Sequence, residues 1–176
     1  MTILHDIEDA AAHPVQPRAR GVARLSSKQG PRGAVIADLH QAGSAKLVFP
    51  RPQSGELQAV MVNTAGGITG GDHFEVAFEA GSATHLSVTT QAAERAYGAS
   101  ARETGRLETT LSVAAGGRLD WMPQETILFE TCRFARSLRA VLAGDAQLLF
   151  VEPLVFGRTA MGEILRDIAF SERVEV

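Results

Sequence analysis

His73–Ser82 reads HFEVAFEAGS. Phe74, Val76 and Phe78 share one parity, and His73, Glu75 and Glu79 share the other. That alternation is the signature of a strand with one buried face. The run stops at the small-residue turn Ala80-Gly81-Ser82, and a second alternating run, His85–Thr90, follows it. The same arrangement recurs around Ala115-Gly116-Gly117 and Ala143-Gly144-Asp145. Leu107, Thr109, Leu111 and Val113 precede one turn, with Leu119 and Trp121 after it; Phe134–Leu142 and Gln147–Phe156 flank the other. Turns at a spacing of roughly 30 residues are what stacked hairpins or layered β-coils produce. The predicted class is mainly β: a layered, β-helix-like stack of antiparallel or mixed strands with one or two short helices.

Upstream, Gly33–Leu39, Ala45–Phe49 and Leu57–Val62 also read as strands. The helical candidate is Gln91–Ala99, rich in Ala, Glu and Arg, with Thr89 or Thr90 placed to cap it. Gln147–Phe156 is almost wholly apolar and predicts a strand buried on both faces. Residues 1–17 are polar and aperiodic and read as a mobile arm carrying His5 and His13. Residues 18–176 then form a single β domain, in which alternation persists through Ile164–Val176.

Between two strands lies Met61–Asp72, MVNTAGGITGGD. Gly66, Gly67, Gly70 and Gly71 make it poor helix and poor strand, so it is a shaped loop. A phosphate loop needs G-x-x-x-x-G-K-[ST], and here Asp72 replaces the lysine, placing negative charge where phosphate would sit. A dinucleotide loop needs G-x-G-x-x-G followed by a helix; neither the spacing nor the following strand complies. A plain strand connection that needs positive φ accounts for the glycines equally well.

The chain has 176 residues, 45% of them hydrophobic, with a net charge of −3, enough for one sizeable core and not the profile of a nucleic-acid or anionic-membrane binder. No apolar run reaches a membrane-spanning length, and the N-terminus lacks a secretory h-region. One cysteine, Cys132, excludes an internal disulfide framework and Cys-based zinc clusters. A cytoplasmic protein is expected.

Candidate chemistry rests on carboxylates. Asp72 has the parity of Phe74 and points toward the core, where cations, backbone N–H groups or a metal must compensate it. Glu152 interrupts the apolar run LLFVEPLVF, and Arg158 is the expected partner if its role is structural. Glu125 and Glu163 sit at turns, while His73 and His85 fall on outward positions. The nucleophile-elbow and metalloprotease patterns are absent.

Four segments carry a resemblance. Asn63–Asp72 (NTAGGITGGD), Thr89–Tyr97 (TTQAAERAY), Leu119–Phe129 (LDWMPQETILF) and Phe156–Glu163 (FGRTAMGE) resemble, in order and spacing, the motifs of the urease accessory protein UreD family, also called UreH. The likeness runs from about Ala19 to Val176. It implies a non-enzymatic nickel-chaperone component that binds apo-urease and UreF, which recruits the GTPase UreG. It further implies a layered β fold and a water-filled passage for Ni²⁺ in transit, with no tightly bound cofactor. The positions matching proposed passage residues are Asp72 and Glu152; Glu94 lies where the family's short helix begins, and Glu125 and Glu163 fall within the third and fourth motifs. Oxygen ligands hold nickel more loosely than thiolate or multiple imidazoles, which suits an ion that must leave. Family members run on past the point matching Val176, so the resemblance also implies a missing C-terminal part. Two other readings stand beside it: a β-fold enzyme with Asp72 and Glu152 as an acid–base pair, and a truncated remnant without function.

Overall fold

A computed structural model describes residues 17–51, 54–99 and 103–176. The expected arm, with His5 and His13, lies outside them apart from Pro17. The described residues form β1 (Arg20–Gly30), β2 (Gly33–Gly43), β3 (Ala45–Val48), β4 (Leu57–Asn63), β5 (His73–Ala80), β6 (His85–Thr90), β7 (Glu94–Ala96), β8 (Gly105–Val113), β9 (Arg118–Trp121), β10 (Thr126–Leu128), β11 (Arg133–Leu142), β12 (Gln147–Phe150), β13 (Leu154–Phe156) and β14 (Ala169–Glu175).

These strands wind into a three-sided coil. One side is the parallel series β4, β6, β9, β12, with β3 antiparallel on β4. The second is β5, β8, β11, β14, extended by β1 parallel to β5 and by β2 antiparallel to β1. The third is β7, β10, β13, also parallel. The small-residue turns are therefore the corners of a layered coil and not the tips of hairpins: β5, β8 and β11 enter them on one side, and β6, β9 and β12 leave them on another. The three corners close alike, by N–H to carbonyl bonds from Thr84 to Gly81, Gly117 to Ala114 and Ala146 to Ala143. Gly116 takes φ of 69° there, a conformation that costs a side-chain-bearing residue.

Register explains why the alternation matters. Phe74 lies over Leu107, which lies over Arg136; Val76 lies over Thr109 and then Leu138; Phe78 lies over Leu111 and then Ala140. From the facing side come Leu86 over Leu119 and Val88 over Trp121, and the Phe78 and Trp121 rings stack at 5.3 Å. All but Arg136 and Thr109 in these columns belong to one buried apolar cluster.

Three expectations are corrected. Gln91–Ala99 is not a helix: it bends and then forms β7. Parallel pairing with β10 supplies the backbone bonds that a helix would have supplied, so tertiary pairing overrides propensity. Helical geometry is confined, among the described residues, to one short 3₁₀ turn at Thr159–Met161. Gln147–Phe156 is two strands around a corner, and Leu149, Phe150, Val151, Val155 and Phe156 are exposed because no described strand covers that last turn of the coil. Ile164–Val176 is strand only over β14. No described helix is long and apolar enough to cross a membrane.

The columns predict where truncation hurts. Leu111→Ala, at a fully buried position, is expected to cost about 3 kcal/mol. Val174→Ala, on the exposed last strand, should change stability by under about 0.5 kcal/mol. Urea denaturation of both variants checks this; equal effects would contradict the register.

Candidate functional site

The third side of the coil gathers the four motif segments. The glycine loop is its first turn, since Ile68 bridges Ala96. A continuous ladder then runs downward. The Ile68 N–H donates to the Arg95 carbonyl, the Glu94 N–H to Glu125, the Phe129 N–H to Ala96, the Thr126 N–H to Pro153 and the Gly157 N–H to Leu128. Segments about 30 residues apart in sequence thus become one wall.

Asp72 fastens the top of that wall. Its Oδ1 accepts from the Ala19 N–H at 2.7 Å and its Oδ2 from the Thr69 N–H at 2.8 Å, and the residue is buried. Of the compensations open to it, two backbone N–H groups are in place, one from the loop and one from the segment leading into β1. Gly66 and Gly71 hold φ of 80° and 85°. Gly67 answers a different need: a Cβ there would lie 2.3 Å from the Tyr97 ring. Gly70 likewise lies against the Glu103 backbone.

Beneath the loop, Asn63 ties turn to turn. Its Oδ1 accepts from the Ala65 N–H at 2.9 Å; its Nδ2 donates to the Gly67 carbonyl at 3.0 Å and reaches the Glu94 carboxylate at 3.2 and 3.3 Å. Glu94 and Asn63 line a cavity of about 140 Å³ with Met61, Gly66 and Thr90. Burial pushes the Glu94 carboxyl above its ordinary value of 4.5, against the hydrogen bonds from Asn63 and the Arg95 N–H. Glu125 contributes its carbonyl to this network.

At the bottom, the Glu152 side chain is buried on the inner side. Its Oε1 accepts from Trp121 Nε1–H at 2.9 Å and its Oε2 lies 3.6 Å from Arg136. The expected partner Arg158 is elsewhere, paired with Glu163 at 3.0 Å and stacked over Phe129 at 4.5 Å. The winding of the coil decides these partners: Arg136 comes from β11, 16 residues earlier in the same turn, and Trp121 from β9 in the turn above, 31 residues away. Glu163 accepts from the Arg158 side chain, the Glu130 N–H and the Arg158 N–H, and these bonds, led by the Arg158 side chain, hold its carboxyl down at about 2.

Asp72 and Glu152 belong to the first and last turns, three strand spacings or about 14 Å apart along the coil. The described contacts give them no common partner, so the acid–base pair finds no support in this geometry. Among the described residues no three His, Cys, Asp or Glu side chains are grouped to hold a metal. His73 and His85 do sit on the outer face, but neither is isolated. His85 Nε2 lies 2.8 Å from Asp120, which Arg118 also grips at 2.9 Å; His73 Nε2 lies 3.3 Å from Glu108. Sequence reasoning missed Asn63, Asp120 and Arg136. Arg136 carried a signal: it shares parity with Phe134, Leu138 and Ala140, an inward position that an arginine occupies only with partners.

The UreD urease accessory protein family model matches residues 19–176. The chain belongs to the UreD family. It is 53% identical over 169 residues to the urease accessory protein UreD of a Ruegeria species, covering 96% of this chain and 57% of that one. It is 48% identical over 161 residues to that of Roseobacter denitrificans (92% and 59%) and 45% identical over 164 residues to that of Sinorhizobium medicae (93% and 59%). The chain therefore spans less than two thirds of the length of these UreD relatives, and the match starts at Ala19, the residue whose N–H Asp72 holds.

Two outcomes are expected. Asp72→Ala removes two bonds to a charged acceptor and should cost about 3 kcal/mol in chemical denaturation; a change under about 0.5 kcal/mol would show that the loop holds itself. In a carboxyl-resolved NMR titration, Glu94 should still be protonated where a free glutamate has ionised, and Glu163 should stay ionised well below pH 4. The signs follow from linkage. The Glu163 contribution is present above its unfolded value of 4.5 and is lost as pH falls toward about 2. The Glu94 group instead loses stability as pH rises from 4.5 through its raised value, so Glu94→Gln should raise the melting temperature at pH 7 and leave it unchanged at pH 4.

Proposed function

We propose that this chain serves urease maturation as a non-catalytic scaffold. It binds apo-urease and UreF, reaches the GTPase UreG through UreF, and helps pass Ni²⁺ into the urease active site in the cytoplasm. The nickel is cargo, and no cofactor stays bound. Membership of the UreD family over residues 19–176 supports the urease-maturation role.

The observation that carries the passage reading is the stacking of the family segments into one wall with carboxylates on successive turns: Asp72 at the top, Glu94 beneath it and Glu152 on the inner side at the bottom. Asp72 serves by holding the glycine loop in shape, because its oxygens already accept two backbone N–H groups. Glu152 offers its carboxylate to the ion directly. Oxygen donors keep nickel exchangeable. Glu125 and Glu163 brace the wall rather than touch the ion.

The test is co-expression of the tagged chain with UreF and apo-urease. Both should co-purify, and Glu152→Gln should lower urease activation about tenfold while leaving partner capture intact. If neither partner is captured under conditions where a full-length UreD captures both, the proposed role fails for this chain.

A further inference from the structure

Among the described residues, Arg136 is the one cation set into the interior columns. It stands on β11 between Phe134 and Leu138, and its side chain is 3% exposed. Its Nε donates to Glu172 at 2.9 Å, and a second guanidinium nitrogen bonds the same carboxylate. Nε also lies 3.6 Å from Glu152, whose side chain is 5% exposed. The remaining donors reach the Thr126 hydroxyl at 3.3 Å and the Glu152 carbonyl at 3.5 Å, and the Phe170 ring lies 5.9 Å from the guanidinium carbon. Two carboxylates and a hydroxyl thus converge on one guanidinium.

From this geometry we infer that Arg136 is the resident cation of an interior oxygen site formed by Glu152, Glu172 and Thr126, and that a divalent metal ion reaches Glu152 only when the guanidinium withdraws. The biological meaning of the exchange rests on the nickel-passage reading of Glu152; the exchange itself does not.

The chemistry is direct. Arginine cannot give up its proton in a protein, so the positive charge at this place is permanent. A buried carboxylate left without a cation is costly, which holds the guanidinium there when no metal is present. A metal ion at the same oxygens would face that charge at contact distance, so the two exclude each other. Withdrawal has a route. Glu172 is about a third exposed and stands on β14, the edge strand of its sheet, beyond which no described strand lies. The guanidinium can follow Glu172 outward while Glu152 stays inside, held by Trp121. Such a site stays closed to casual cations and opens to an ion presented with enough affinity to displace the arginine.

Equilibrium dialysis of the intact chain against Ni²⁺ reads this out. The wild type should bind weakly. Arg136→Gln should bind at least tenfold more tightly, and adding Glu152→Gln to that variant should abolish the gain. No gain in Arg136→Gln, or a gain that survives Glu152→Gln, overturns the inference. Should Arg136→Gln fail to fold, the wild type decides. The slowly exchanging Nε–H signal of Arg136 is followed by NMR during a Zn²⁺ titration to millimolar concentration. Loss of that signal as zinc binds, or no zinc binding at all, agrees with a resident cation. Zinc bound in a Glu152-dependent way with the signal unmoved contradicts it. Urease activation by Glu152→Gln separates the two readings: normal activation with the dialysis gain intact removes the passage reading and leaves the cation exchange standing.

Discussion

Parallel backbone pairing between successive turns is the constraint on which everything else in this protein depends. It sets residues about 30 positions apart directly over one another, as Phe74 over Leu107 and Leu107 over Arg136. Hydrophobic columns follow from it, because a position that faces inward on one turn faces inward on the next. The wall follows as well. The ladder from Ile68 through Arg95, and from Glu94 through Glu125, turns four separate segments into a single surface. None of those segments could hold its shape alone, since a three-residue strand such as β7 exists only by its neighbours.

Electrostatics then differentiates the ends of the coil. At the top, the charge on Asp72 is met by two backbone N–H groups and organises a glycine loop. At the bottom, the charge on Glu152 is met by a guanidinium and an indole N–H. Between them Glu94 is held by the Asn63 amide and the Arg95 N–H, too little to offset burial, which is why its carboxyl is pushed upward. Three carboxylates along one wall therefore carry three different degrees of compensation, and they differ in readiness to give up or accept a cation.

Much of the fold was legible. Alternation in His73–Ala80 and in the runs that match β8 and β11, with the recurring small-residue corners, implied a layered β coil, and the inward set Phe74, Val76 and Phe78 is the inward set observed. What escaped was anything decided by the neighbouring turn. Gln91–Ala99 has the composition of a helix, and only β10 beside it makes part of it a strand. Glu152 had Arg158 near in sequence, yet the bend of its own turn around the coil set it against Arg136 on β11. Asp72 was recognisable as a buried carboxylate, but the Ala19 N–H that satisfies it comes from 53 residues away. The apolar run Gln147–Phe156 implied burial that the described residues do not supply, because no described strand lies over the last turn.

Amide hydrogen exchange at Ile68, Glu94 and Thr126 tests the central claim most directly, since these N–H groups tie the first turn of the wall to the second, the second to the third and the third to the fourth. The account predicts that all three exchange slowly and lose protection together as denaturant is added, as members of one cooperative ladder. Rapid exchange at Ile68 and Glu94 beside a protected Thr126 would contradict it, for the glycine loop and β7 would then not belong to the wall.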